Sequence, residues 1–162
     1  MATSVSQDNS VFTGAWVWLF PATYLVHIAE EYFGNFPSYA AGFTGLPFTN
    51  AAFLVANAIF WFLMVGAAAW AARSGLGAQL VVVLATIVTI NAVLHGGGTL
   101  LGCRYSPGLI SGALLWLPLG VVSLLRGKRA LESSAFRTAV ALGVGIHVLV
   151  PLVSLGLVLL LS

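Results

Sequence analysis

The sequence predicts an all-α integral membrane protein, a bundle of five transmembrane helices forming a single domain over residues 1–162. Three observations predict it. The chain is 60% hydrophobic and 6% charged, too little charge to cover a soluble domain of this size. Its mean hydropathy is +1.04. Its apolar residues fall into five runs, each close to the roughly 20 residues that cross a bilayer core.

The first expected span, 11–31, follows the polar stretch MATSVSQDNS, which is expected to be disordered. That stretch holds no Lys or Arg, so it lacks the basic start of a signal peptide, and the span is expected to be retained. Pro21 is an expected kink within it. Residues 32–50 carry Tyr32, Phe33, Phe36, Tyr39, Phe43 and Phe48 with Pro37 and Pro47, and no charge. Such a segment is expected to lie in the interface over the bundle instead of projecting into water.

The second span, 51–72, ends at Trp70 and Arg73, an interfacial anchor pair. The third, 78–95, is expected to stop at Gly96-Gly97-Gly98. The fourth, 107–125, starts at Ser106-Pro107-Gly108, where Ser106 suits an N-cap and Pro107 the first helical position. The fifth, 138–161, holds the small-residue pairs Ala139/Gly143 and Ala141/Gly145, suited to close helix packing. Pro151 within it removes the hydrogen bond to the carbonyl of His147, so a kink with a core histidine is expected there. No internal repeat or domain linker is visible.

Arg73, Arg126, Lys128, Arg129 and Arg137 fall at one end of this bundle and Arg104 alone at the other. The positive-inside rule then puts the N-terminus in the cytoplasm and the C-terminus outside. Composition also excludes function classes. A net charge of +2 leaves no nucleic-acid footprint. The single cysteine, Cys103, rules out an intrachain disulfide. The one lysine, Lys128, lies in an expected cytoplasmic loop, against a retinal Schiff base. Spans two and four carry no ionisable group, so no ion path across the bilayer is apparent. Three histidines are too few for the many-histidine di-iron sites of membrane desaturases.

The candidate site starts at His27-Ile28-Ala29-Glu30-Glu31. At i, i+3 and i+4 the imidazole and both carboxylates share one helix face. Ionisable groups are costly there and functional by default, and the helix C-terminus repels carboxylates, so a cation is the natural partner. Asn91 and His95 share a face of the third span at the same expected depth, although His95 also suits a helix C-terminus and Asn91 an interhelical contact. Arg104 is expected to pair with a glutamate or grip a lipid phosphate. Tyr105 suits the aromatic belt. Cys103 reads as a free thiol near the site.

His27-x-x-Glu30-Glu31, a further histidine, and Tyr105-x-Pro107-Gly108 together resemble the HXXEE domain family of integral membrane proteins. The further histidine is assigned to His95 because it directly precedes the YxPG turn. The resemblance implies an enzyme without an established reaction, and it brings no substrate.

The residues therefore point first to a membrane-embedded, metal-dependent enzyme working in the outer leaflet on a lipid or other apolar molecule, by hydrolysis or transfer. His27, Glu31 and His95 are the expected ligands of a divalent zinc, iron or manganese ion. Glu30 is a fourth ligand or general base, and Tyr105 donates a proton or stabilises charge. Arg104 and Asn91 complete the binding site, and the aromatic 32–48 segment covers it. A metal-free His/Glu proton-transfer isomerase is the alternative. A second alternative is a non-enzymatic subunit holding haem or another pigment between two histidines.

Overall fold

The structure is a computed structural model that describes residues 14–161, all of whose regular elements are helices. The expected polar tail and the start of the first expected span lie outside the described residues. The helices are α1 (Ala15–Phe33), α2 (Phe36–Thr44), α3 (Asn50–Ala71), α4 (Gly77–Gly102), α5 (Leu109–Ala130) and α6 (Ser133–Leu161). Within α5, Gly112–Trp116 forms a π-helical turn just ahead of Pro118.

Four of these helices, not the expected five, are long and apolar enough to cross a membrane: α3, α4, α5 and α6. The exception is α1. It is 19 residues long, but His27, Glu30, Glu31, Thr23 and Pro21 dilute its apolar character. The residues that make the site are those that weaken the span. It nevertheless runs antiparallel beside α5 for its whole length. Trp16 Nε1 donates to Ser123 Oγ near its start, Trp116 Nε1 donates to Thr23 Oγ1 at its middle, and Glu30 meets the first residues of α5 near its end.

At the centre stands α4, apolar all round, with 56% of its membrane-length window buried against 17% for α6. Val17 and Phe20 from α1, Met64 and Ala68 from α3, Val81 and Val88 from α4, and Trp116 and Leu119 from α5 form the main core. Gly96-Gly97-Gly98 does not end α4, which continues to Gly102. Backbone groups shielded from water must find partners in the helix itself, and that requirement outweighs weak glycine propensity. Gly98 also makes room for a neighbour, since a Cβ there would lie 2.8 Å from the Tyr39 hydroxyl.

On α6 the packing face is Ala139, Gly143 and His147, all buried, while Ala141 and Gly145 face outward. Only the first of the two expected small-residue pairs therefore packs. A Cβ on Gly143 would come within 2.6 Å of Thr86 Cβ and 2.9 Å of the Val83 carbonyl oxygen. The 32–48 segment folds over the end of the bundle as expected, but its middle is the helix α2.

Candidate metal centre

Two helices deliver three side chains to one point. His27 and Glu31 are one turn apart on α1, and His95 comes from α4; all three are buried. One ligand atom from each lies within 4.8 Å of the others. Glu31 Oε1 is 3.6 Å from His27 Nε2 and 3.3 Å from His95 Nε2. Two ligands bound tetrahedrally at the 2.0–2.1 Å typical of zinc stand about 3.3 Å apart. These residues lie close enough to hold a metal ion, and His27 Nε2 has no hydrogen-bond partner among the described residues.

Both imidazoles are oriented from their far side. His27 Nδ1 is 2.8 Å from Ser111 Oγ, and His95 Nδ1 is 3.0 Å from Ser106 Oγ. The tautomer that donates Nδ1–H to each serine leaves a lone pair on each Nε2, the arrangement that ligating histidines require. Trp116, from the π-helical turn, stacks on the His27 ring at 3.8 Å between centroids and 25° between planes. Ser106 is thus not the N-cap that its neighbours suggest; its hydroxyl serves His95. Ser111 and Trp116 had no signal in the sequence, because their relation to His27 exists only once α5 lies against α1.

Glu30 caps α5 from another helix. Its Oε1 accepts from the Tyr105 hydroxyl at 2.5 Å, from Gly108 N at 3.2 Å and from Ile110 N at 2.8 Å, and its Oε2 accepts from Ser111 N at 2.6 Å. These N–H groups are the orphan donors of a helix start, and an anion is favoured there. Glu30 stands outside the three-residue cluster, so the structure brings together His27, Glu31 and His95 but turns their neighbour away. The turn it holds must come very close. Gly108 has φ +99°, and a Cβ on it would lie 2.6 Å from His95 Cε1 and 2.8 Å from His27 Cε1. The HxxEE and YxPG stretches are therefore two halves of one site.

Tyr105 hydrogen-bonds Glu30 and is 44% exposed. Burial of its ring edge and the bond to Glu30 push its phenol up to about 12. Arg104 does not pair with a glutamate. Its guanidinium lies 4.4 Å from the Tyr39 ring centroid and 5.2 Å from that of Phe43, and Nη2 donates to the Tyr39 carbonyl oxygen at 3.3 Å. It latches α2 over the site, where Phe36 sits 5.8 Å from the His95 ring. Asn91 lines the adjoining cavity with a buried Oδ1 that finds no hydrogen-bond partner among the described residues. His147 lines the same cavity but stands outside the cluster, as does exposed Cys103.

The match with known proteins agrees with the motif. The family model described as "Protein of unknown function with HXXEE motif" matches residues 18–123. The chain belongs to that family. The matched region contains every residue of the centre, from His27 to Trp116, and leaves out α6. No curated protein and no solved structure matches the chain.

Proposed function

We propose that this HXXEE protein is a metal-dependent membrane enzyme that hydrolyses or transfers part of a lipid or other apolar molecule. One observation carries the reading: two serine-oriented imidazoles and a buried carboxylate converge at ligand spacing on the wall of an apolar cavity. A donor set of two histidines and one carboxylate leaves a fourth tetrahedral position for substrate or water, the pattern of catalytic zinc sites; iron and manganese also accept it. Bound there, the ion supplies Lewis-acid polarisation of a substrate oxygen. His27, Glu31 and His95 hold it, Ser106 and Ser111 set the imidazole tautomers, and Trp116 fixes one ring. Glu30 and Tyr105 are positioning residues in this reading, since four donors already occupy the Glu30 carboxylate.

The site end faces the outer leaflet in this proposal. Support comes from the basic residues Arg73, Arg126, Lys128, Arg129 and Arg137 around the opposite end, where Arg126 lies 4.7 Å from the Trp16 ring centroid. Arg104, packed on the Tyr39 and Phe43 rings of α2, favours an anionic headgroup at this end.

Metal analysis of purified protein, with its visible spectrum, tests the reading. The expected result is one metal per chain without a Soret band, lost in His27→Ala, Glu31→Gln and His95→Ala while helical content is kept. One specific distance favours a second reading. His95 Nε2 and Glu31 Oε1 at 3.3 Å also suit a metal-free pair that passes protons in an isomerase. Metal-free protein retaining the activity of the chelator-untreated form would establish that alternative. The pigment reading fits poorly, because the two rings stand 5.1 Å apart at their centroids with the Glu31 carboxylate next to both Nε2 atoms.

A further inference from the structure

The cavity beside the centre is long and apolar. Its volume is about 760 Å³, inside the roughly 300–1,000 Å³ range of sites for one small molecule. Its length can be read from the helices that line it. From the site end downward, the lining runs on α4 from Gly98 and His95 to Leu80, on α3 from Phe53 to Ala67, and on α6 from Val158 to Ile146. Eighteen residues of α4 at a rise of 1.5 Å span about 27 Å, close to the roughly 30 Å thickness of a hydrocarbon core. A cavity of that volume and length is sized for one extended hydrocarbon chain with a small polar head.

Its ends differ. The upper end holds His27, Glu31, His95, Asn91 and Ser106; the lower end holds Leu80, Val83 and Ala67. A slot with a polar head and an apolar stem matches an amphiphile lying in the same orientation. Leu63, Leu94 and Ile146 are both lining and exposed, so the slot opens sideways toward lipid between α3, α4 and α6.

We infer that the substrate is a single-chain amphiphile, bound with its polar head at His27, Glu31 and His95 and its one hydrocarbon tail extended along α4 toward Leu80. This rests on the reading of that centre as the reactive site. The chain chemistry is an extended acyl or polyprenyl tail. A diacyl lipid enters only with one tail inside and the other left in the bilayer.

Photolabelling of the full chain in nanodiscs tests it. The probes are straight-chain carboxylic acids of graded length with a diazirine at the far end, and polyprenyl alcohols carrying the same group; peptide mapping locates the label. The expected label moves down α4 and α3 with chain length, from near Ile87 toward Leu80 and Ala67. Whichever probe set shows that movement identifies the tail as acyl or prenyl. Ala67→Phe, which fills the lower end, should cut labelling by the longest probes about tenfold or more, the scale of overfilling a packed site. If that chain misfolds, Leu80→Trp closes the same end from α4. Label found on outward residues such as Leu100 and Leu101 regardless of chain length would overturn the inference, as would a tail position that ignores both plugs. Metal content measured on the same samples keeps the two readings apart. A label that still moves with length in metal-free wild-type protein sinks the metal reading alone, whereas full metal content with no movement sinks the tail reading alone.

Discussion

α5 and α6 both pack on α4 through small residues, Gly112, Gly120 and Gly127 on α5 and Ala139 and Gly143 on α6, but only α5 is also bonded to α1. Polar side chains pin α5. Ser123 accepts from Trp16, Trp116 donates to Thr23, Ser111 meets His27, and Glu30 receives the N–H groups of the first turn. No side-chain hydrogen bond joins α6 to another helix among the described residues; it rests on α4 through Ala139 and Gly143. Inside a bilayer a hydrogen bond fixes distance and angle, while small-residue contact allows sliding at modest cost. The rigid side carries the imidazole-orienting serines. The smooth side borders the cavity. Precision and tolerance are thus assigned to different helices.

Substitutions on the two sides should part company. Gly108→Ala should have the largest effect. The residue has φ +99°, and the added methyl would meet both ring carbons, so the ligands are pushed apart and stoichiometric metal is lost. Circular dichroism should show the helices intact; retained metal would mean the turn is not clamped as described.

Glu30→Gln comes next. It removes the charge that caps α5 but no ligand, so metal affinity should fall about 10- to 100-fold, as for other outer-shell partners. Binding should still reach one ion per chain at saturating zinc. Failure to saturate would make Glu30 a ligand.

Gly143→Val affects the other side. The side chain collides with Thr86 and the Val83 carbonyl, and overpacking of this kind costs about 1–3 kcal/mol. The melting temperature should drop with metal content unchanged, because α6 carries no ligand. Metal loss in this variant would erase the contrast between the two helices.

The smallest effect concerns Tyr105. Its folded value, about 12, lies above the ordinary 10, so the folded chain binds the proton more tightly. The hydrogen bond to Glu30 therefore contributes fully below pH 10 and is lost as pH rises through about 12. The ultraviolet difference between the parent chain and Tyr105→Phe should show phenolate appearing near pH 12, and earlier after Glu30→Gln. Ionisation at the ordinary value in the parent would remove the Glu30–Tyr105 bond from the account.

Much of this was legible in the sequence. Runs of about 20 apolar residues define α3 to α6 because the bilayer thickness demands that length. The spacing of His27 and Glu31 puts them on one face because a helix repeats every 3.6 residues. His95 joined them by matching depth, which hydropathy also encodes. The fate of α1 was less legible: its apolar run looked like a fifth span, but its own site residues weaken it. The end of α4 was misplaced because glycine propensity is a local property, whereas the need to satisfy buried carbonyls is set by the surroundings.

Tertiary structure alone decided which glutamate does what. Glu30 and Glu31 are adjacent and chemically alike, and nothing local separates them. One residue along a helix is a rotation of about 100°, which turns Glu31 toward two imidazoles and Glu30 toward the start of α5. It likewise gave Ser106 and Ser111 to the histidines, Arg104 to the rings of α2, and Trp116 to His27. A sequence sets which faces a helix has; what each face meets depends on where the other helices lie.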